Sequence, residues 1–315
     1  MSGSRLTLPA FAKINLSLRV VGKRSDDYHE IRTVFQTIGL HDSLSFTVTD
    51  TPYIILSCDD RRLPPGAENI VCRAASALQQ RCGSNQGAYI RLEKKIPNAA
   101  GLGGGSSDAA ATLVALAYLW GTSATADDLQ EVAGSLGADV PFFLRGGTAL
   151  GTGIGTDLAE LPDGTDKFLL VLKPNAGVST AAAYRALNAR SLTTVEAKTI
   201  LSSSQGNEFF DNLDSEVLQN DFEAAILGLE PETKRAKAAL IKAGARAALL
   251  AGSGSAVFGV FDNSDAQERA IQVLELEAGW RVFPCKTIGR SLFQSAMGAA
   301  GEILTRSIGS DVGGR

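Results

Sequence analysis

Between Leu6 and Val20 apolar and polar residues alternate, with Ile14, Leu16, Leu18 and Val20 on one side and Lys13, Asn15, Ser17 and Arg19 on the other. Period two is the repeat of a β-strand, so this stretch predicts a half-buried strand whose polar face carries Lys13 and Asn15. The polar segment 22-GKRSDDYHE-30 reads as a loop, and the alternating run from Leu44 to Val48 as the next strand. Residues 69-NIVCRAASALQQRCG-83 predict a helix that stops at Gly83, and 88-AYIRLEKKIP-97 a strand that Pro97 ends. Ala109, Leu113, Leu116, Ala117 and Trp120 then recur at helical spacing up to Gly121. A further helix opens at 125-TADD-128, a capping-box-like start, carries Leu129, Val132, Ala133 and Leu136, and closes at Gly137.

The composition becomes loop-like over 145-RGGTALGTGIG-155, which places a domain boundary there and divides the chain into 1–155 and 156–315. The second half predicts a strand at 168–172, a helix from Ser179 or Thr180, and a less regular middle from 190 to 230. A helix from Pro231 to Gly244 follows, then strands at 246–250 and 257–261 around the turn 251-AGSGSA-256, a helix over 264–276 and a strand at 280–284. Apart from the extra middle helices, this is the β-α-β-β-α-β order of a ferredoxin-like domain. The last fifteen or so residues, ending SDVGGR, are expected to be frayed.

A chain of 315 residues is long enough for two such cores. With 30 basic and 34 acidic side chains intermixed, it lacks the clustered Lys and Arg that nucleic acid or an anionic membrane requires, so neither is expected as a partner. Anionic small molecules remain open, because backbone amides bind them without net positive charge. Cys58, Cys72, Cys82 and Cys285 form no C-x-x-C pair, which points to reduced thiols, and the two histidines, His29 and His41, are too few for a Cys/His zinc cluster. The first residues lack a signal-peptide apolar core, and no apolar run reaches the ~18 residues of a membrane span, so a cytoplasmic protein is expected.

The most informative stretch is 97-PNAAGLGGGSSDAAATL-113, with four glycines and two serines among the seven residues from Gly101 to Ser107. A Walker A loop would need a Lys after the glycines, and a dinucleotide fingerprint would need a glycine where Ser106 stands. A flexible linker is the plainest reading of the composition, but a strand and a regular helix flank the run. The remaining reading is an anion cradle: glycine amides converging on a phosphate, backed by the free N–H groups and positive dipole end of a helix starting near Ser106. Ser106 and Ser107 then cap the helix or turn their hydroxyls to phosphate or metal, and Asp108 suits the dipole as a structural choice.

The pattern P-x-x-x-G-L-G-G-G-S-S-D resembles the ATP loop of the GHMP kinases, the superfamily of galactokinase, homoserine kinase, mevalonate kinase and phosphomevalonate kinase. Three further stretches narrow the resemblance: 10-AFAKINLSLRVVGKRSDDYHE-30, 134-GSLGADVPFFLRGGTALGTGIG-155 and 250-LAGSGSAVFGVF-261. They are similar to those GHMP kinases that phosphorylate a cytidine-diphosphate-linked methylerythritol in non-mevalonate isoprenoid synthesis. The resemblance implies an α+β fold, with an N-terminal ribosomal-protein-S5-domain-2-like α/β domain and a C-terminal ferredoxin-like domain. It also implies ATP and Mg²⁺, and a chain acting as a monomer or weak homodimer.

Carried onto this sequence, the resemblance makes Asp139 the acceptor of the substrate hydroxyl's proton and Lys13 the offset to developing charge. Pro97, Ala99, Ala100, Gly101, Leu102, Gly103, Gly104, Gly105, Ser106 and Ser107 would hold the triphosphate, with the Ser107 hydroxyl offered to Mg²⁺. Asn69 and Lys94 would border the adenine. Asn15 would bond the second substrate, Tyr28 would stack on its cytosine and His29 set the base's edge, with Tyr184 a second stacking aromatic. Gly252, Ser253 and Gly254 would let the substrate's polar end approach closely. Each position has a plainer reading on sequence alone: a helix cap for Asp139, a solvated strand lysine for Lys13, a loop aromatic for Tyr28 and a glycine hairpin for 252–255. Family members usually read R-x-D-G-Y-H, whereas Asp27 stands at the glycine here, a substitution that a left-handed backbone would tolerate. Another GHMP kinase, acting on homoserine or mevalonate, or a catalytically silent nucleotide-binding protein, are the competing expectations.

Overall fold

The computed structural model describes residues 4–187 and 218–306. At the centre of its first sheet, β1 (Arg5–Lys23) and β2 (His29–Thr49) form a long antiparallel hairpin. The sheet continues beyond β2 through β3 (Ile54–Cys58) and β4 (Gly87–Glu93), while β5 (Thr148–Thr152) and β6 (Asp157–Leu161) add a second hairpin to β2. A second sheet begins with β7 (Phe168–Lys173). The short β8 (Gln219–Asn220) returns to pair with β1, and β9 (Ala247–Leu250), β10 (Val257–Phe261) and β11 (Arg281–Lys286) complete the second sheet. Its order is β11-β7-β10-β9, antiparallel throughout, the ferredoxin-like arrangement the element order predicts.

On the first sheet lie α1 (Ile70–Cys82), α2 (Gly104–Leu119), α3 (Ala126–Leu136) and the single turn α4 (Phe142–Arg145). Gly83 ends α1 in a left-handed conformation, and Thr125 and Asp128 close a reciprocal capping box on α3, as their spacing predicts. Helix α2 is buried on every side from Ser107 to Ala117, because the sheet, α1 and the C-terminal 3₁₀ helix all pack against it. That explains its run of alanines: small side chains let three neighbours approach one helix. The second sheet is covered by α5 (Thr180–Leu187), α6 (Phe222–Leu229), α7 (Pro231–Lys242) and α8 (Ser264–Leu274).

Several expectations change. The 22–30 loop contracts to a tight turn at 24–28, since β2 begins at His29, well before Leu44. Strand β4 ends at Glu93 rather than at Pro97: the Lys95 and Ile96 amides leave the ladder to bond the Asp42 carboxylate. Helix α2 starts at Gly104, two residues before Ser106. Beyond the boundary expected at 155, β6 still pairs in the first sheet, so the chain changes sheets between Leu161 and Phe168. Phe293 and Met297, on and just after α9 (Arg290–Ala296), and Ala300 and Ile303 of the 3₁₀ helix Gly298–Thr305 fill the first core. These residues therefore complete the domain the chain's beginning founded, and the 3₁₀ helix runs on to Thr305, inside the stretch expected to fray. The expected irregular middle lies outside the described residues up to 217, as does the tail from 307.

Two glycine loops join the halves. A Cβ on Gly101 would sit 1.9 Å from the Ala251 carbonyl oxygen, and one on Gly252 would sit 2.7 Å from that of Gly101. Both residues have positive φ (77° and 53°), and the Ala256 amide donates to the Ala100 carbonyl at 3.3 Å. Only residues without a Cβ allow this approach of backbone to backbone. Gly101→Ala is therefore expected to cost about 2–4 kcal/mol, from overpacking and the left-handed φ together, measurable by urea unfolding.

Candidate active site

A cavity of about 1200 Å³ opens where the two glycine loops meet, lined from both halves of the molecule. On one side runs the backbone from Pro97 to Ser106. Positive φ recurs at Ala99, Gly101 and Gly103 (50°, 77° and 70°), the alternation that turns successive N–H groups into one concavity. Gly103 caps α2 and lets two neighbours in: a Cβ there would lie 2.6 Å from Phe143 Cζ and 3.1 Å from Lys13 Cγ. The first-turn amides of α2 have no acceptor within the helix, and Gly104, Gly105 and Ser106 line the cavity. Such an arrangement can receive an anion without a lysine in the loop.

Lys13 enters from β1. Its amide donates to the Leu102 carbonyl at 3.0 Å, tying the strand to the loop. Its ammonium donates to Asn15 Oδ1 at 2.8 Å, lies 3.4 Å from Asp139 Oδ2 and sits over the Phe35 ring. Asn15 Nδ2 donates to Thr33 Oγ1 at 2.7 Å, and Thr33 donates to the Ser17 carbonyl. Lys13, Asn15 and Ser17 of the polar face of β1 are thus buried, not solvated as the alternation suggests, and Lys13 is 4% exposed. A buried ammonium needs such partners, and here they also fix where its charge lies. Asp139 occupies the turn between α3 and α4. Val140 and Phe142 beside it are fully buried, and α4 makes no side-chain cap, so the carboxylate is free of the capping role and 35% exposed toward the cavity.

At the far end, Tyr28, His29 and Tyr184 line the cavity. His29 stacks on Tyr184 with ring centroids 4.3 Å apart, and Tyr184 meets the edge of Phe222. That spacing admits no base between the two rings, so a base would lie against Tyr28, which is 61% exposed on the turn, or against the outer face of the pair. Burial, and then the Lys23 charge, push the His29 imidazole below its ordinary value, so it is neutral at pH 7. Burial and the nearby Asp139 carboxylate push the Tyr184 phenol up to about 12. Gly252, Ser253 and Gly254 line the same cavity, where Ser253 Oγ lies 3.2 Å from Thr180 Oγ1. Asn220 holds that loop by donating to the Leu250 and Gly252 carbonyls, a role with no signature in the sequence around it. Asp27 has φ 67°, the left-handed conformation expected of its position.

Three expected nucleotide residues stand elsewhere. Asn69 is the N-cap of α1, accepting from the Val71 amide and donating to the Pro64 carbonyl. Lys94 is buried between Asp42 and Asp108, and Ser107 is buried inside the first turns of α2. None of the three lines the cavity. Asp108 is likewise no dipole partner at the helix end. Burial raises its carboxyl well above the usual range, against the lowering pull of the Lys94 charge, while the two neighbouring carboxyls outweigh burial and raise the Lys94 ammonium. Among the described residues no three His, Cys, Asp or Glu side chains converge as a metal cage. A cation there would be carried mainly by phosphate and water, with the Ser106 hydroxyl and Asp139 among the protein oxygens that line the cavity. No described helix is long and apolar enough to cross a membrane.

Comparison with known proteins bears on this geometry directly. The family described as GHMP kinases N terminal domain matches residues 69–147, and GHMP kinases C terminal matches 203–278. The chain is 41% identical over 286 residues to the 4-diphosphocytidyl-2-C-methyl-D-erythritol kinase of Geobacter sp. (strain M21), covering 90% of this chain and 99% of that one. It is 42% identical to the enzyme of the same name from Solibacter usitatus, over 87% of each chain. A crystal structure of a 4-(cytidine 5′-diphospho)-2C-methyl-D-erythritol kinase superposes with a TM-score of 0.71 at 34% identity, covering 90% of this chain and all of that one. A homoserine kinase from Cytophaga hutchinsonii shares the fold, with a TM-score of 0.68 at 23% identity.

The buried Lys94 cluster gives a prediction about pH. Below the ordinary carboxyl value of 3.8, Asp108 is protonated in folded and unfolded chains alike. Above it the unfolded chain releases the proton and the folded chain keeps it, so wild-type stability falls as pH rises through this window. Asp108→Asn cannot ionise, so the variant should gain stability relative to wild type as pH rises above about 4, read by urea unfolding across a pH series. A difference independent of pH would mean that Asp108 is ionised in the fold.

Proposed function

Because the chain belongs to the 4-diphosphocytidyl-2-C-methyl-D-erythritol kinase family of GHMP kinases, we propose that it transfers the γ-phosphoryl group of ATP to the 2-hydroxyl of 4-diphosphocytidyl-2-C-methyl-D-erythritol. The product is the 2-phosphate, with ADP released, in non-mevalonate isoprenoid precursor synthesis. The observation that carries this reading within the molecule is the 3.4 Å contact of Lys13 and Asp139 beside an amide-lined glycine loop. Phosphoryl transfer asks mainly for positioning and charge neutralisation, and these elements supply both.

In this reading the triphosphate lies along Ala99–Ser106, with its terminal phosphoryl at the Lys13 end, and Mg²⁺ arrives with it to screen the phosphate oxygens. The substrate hydroxyl lies between that phosphoryl and Asp139. A carboxylate is a weak base toward a ground-state alcohol, so Asp139 takes the proton late, as bond formation makes the oxygen acidic. Lys13 has a fixed position because Asn15 and Thr33 hold it, so its charge is already aimed at the transferring group before reaction. The cytidine end lies toward Tyr28, His29 and Tyr184, where the neutral imidazole offers one donor and one acceptor to a base edge.

A coupled ADP-release assay with a panel of alcohols tests the reading. Turnover is expected with the cytidine-diphosphate substrate, whereas turnover with homoserine or mevalonate alone would overturn it. Asp139→Asn should lower kcat roughly 10²–10⁴-fold while the ATP dissociation constant stays put. Gly105→Ala separates the cradle from a plain helix start. Gly105 is exposed and a Cβ there meets only Ile70 Cγ2, at 3.6 Å, so alanine should leave the fold as stable or more so. If phosphate rests on this turn, KM for ATP should nevertheless rise about tenfold or more; an unchanged KM would move the triphosphate elsewhere.

A further inference from the structure

The turn at the cavity mouth carries a charge arrangement that the transfer reaction does not use. Lys23 and His29 are paired across the β1–β2 hairpin, so their side chains leave the same face, and both line the cavity. The hairpin end is braced: Arg24 bonds Asp26 and Glu30, and Glu30 accepts the Gly153 amide at 3.1 Å. At its tip Asp27, in a left-handed conformation, sends its carboxylate back to the Lys23 ammonium at 2.6 Å. Asp27 also lines the cavity, and its side chain is 89% exposed.

Among the described residues, the cations lining this cavity besides Lys13 are Lys23 and Arg185. Lys13 is buried and committed to Asn15 and Asp139, so it serves the reacting end. Lys23 stands at the base end, near enough to His29 for its charge to help hold that imidazole neutral. A nucleoside diphosphate whose base lies against Tyr28 and His29 brings its charged linkage past this hairpin. An exposed ion pair is held weakly and exchanges partners readily.

Resting on the function proposed above, we propose that Lys23 is a binding residue for the diphosphate of the cytidine substrate and that Asp27 is its built-in competitor, which the diphosphate displaces. In the free enzyme Asp27 neutralises Lys23 and keeps its ammonium placed. On binding, Lys23 passes from the carboxylate to the phosphate oxygens, and Asp27 turns to solvent. Asp27 thereby lowers affinity for any nucleoside diphosphate at this mouth, and sets a higher working KM for the cytidine substrate than Lys23 alone would give.

The test uses the full-length enzyme, with CDP as a probe in calorimetry and steady-state kinetics alongside. Asp27→Asn and Asp27→Gly both suit the left-handed backbone; the first removes only the charge, the second the whole side chain. Each should tighten CDP binding and lower KM for the cytidine substrate about three- to tenfold, with KM for ATP unmoved and the gain shrinking at high salt. Lys23→Gln should weaken CDP binding, and in that background Asp27→Asn should no longer tighten it. The proposal is overturned if neither Asp27 variant changes CDP affinity, if the gain persists without Lys23, or if KM for ATP moves equally. Wild-type turnover with the cytidine substrate alongside unmoved CDP affinities would sink this inference alone. Turnover only with another alcohol would sink the function proposed above, and CDP affinity would still decide the role of the pair.

Discussion

The molecule depends on one close approach, that of Gly101 to the Ala251–Gly252 backbone. The space a single Cβ would need is already filled by a carbonyl oxygen from the other half. This contact brings the two glycine loops together, and the cavity lies where they meet. The same loop fixes Lys13 through its Leu102 carbonyl, so the strand carrying the ammonium and the backbone carrying the amides share one frame. Loop glycines usually signify mobility. Here they signify proximity, because the residues lack side chains in order to be touched.

Charge is handled in two opposite ways on the two sides of that loop. Before it, Lys94 is enclosed by Asp42 and Asp108, and Asp42 also accepts the Lys95 and Ile96 amides. This cluster ends strand β4, ties it to α2 and sets the point from which the loop departs. After it, Lys13 is buried as deeply, yet its anionic partner Asp139 is partly open to the cavity. A closed cluster can only be structural, whereas a buried cation facing a half-open carboxylate can still meet a reactant. Two lysines of similar burial thus differ in what their partners leave exposed.

Much of the local structure was legible in the residues. Alternation along β1 put Lys13 and Asn15 on one face, the Thr125–Asp128 spacing announced its capping box, and the glycine run against a helix start read as an anion cradle. Alternation tells which residues share a face but not what covers it, so the burial of that face was not legible. Nor were the tasks of Lys94 and Asn69, whose partners depend on packing: Asp42 is 52 positions from Lys94, and the Pro64 carbonyl is presented by a loop of no fixed pattern. The stack of His29 on Tyr184 joins the two halves of the molecule, and neither ring's neighbours in the chain announce it.

The sequence by itself determined the element types over most of the described chain, the ferredoxin-like order of the second half, and a glycine run set against a helix start. These follow from periodicity, caps and backbone freedom, which act within a few residues. Only the tertiary structure decided that the C-terminal helices complete the first core, that Asn15 and Thr33 hold Lys13, and that Asp139 faces Lys13 instead of capping a helix. Those facts rest on desolvation and on contacts between distant segments, and a buried charge shows its role only once the groups that replace water around it are in place.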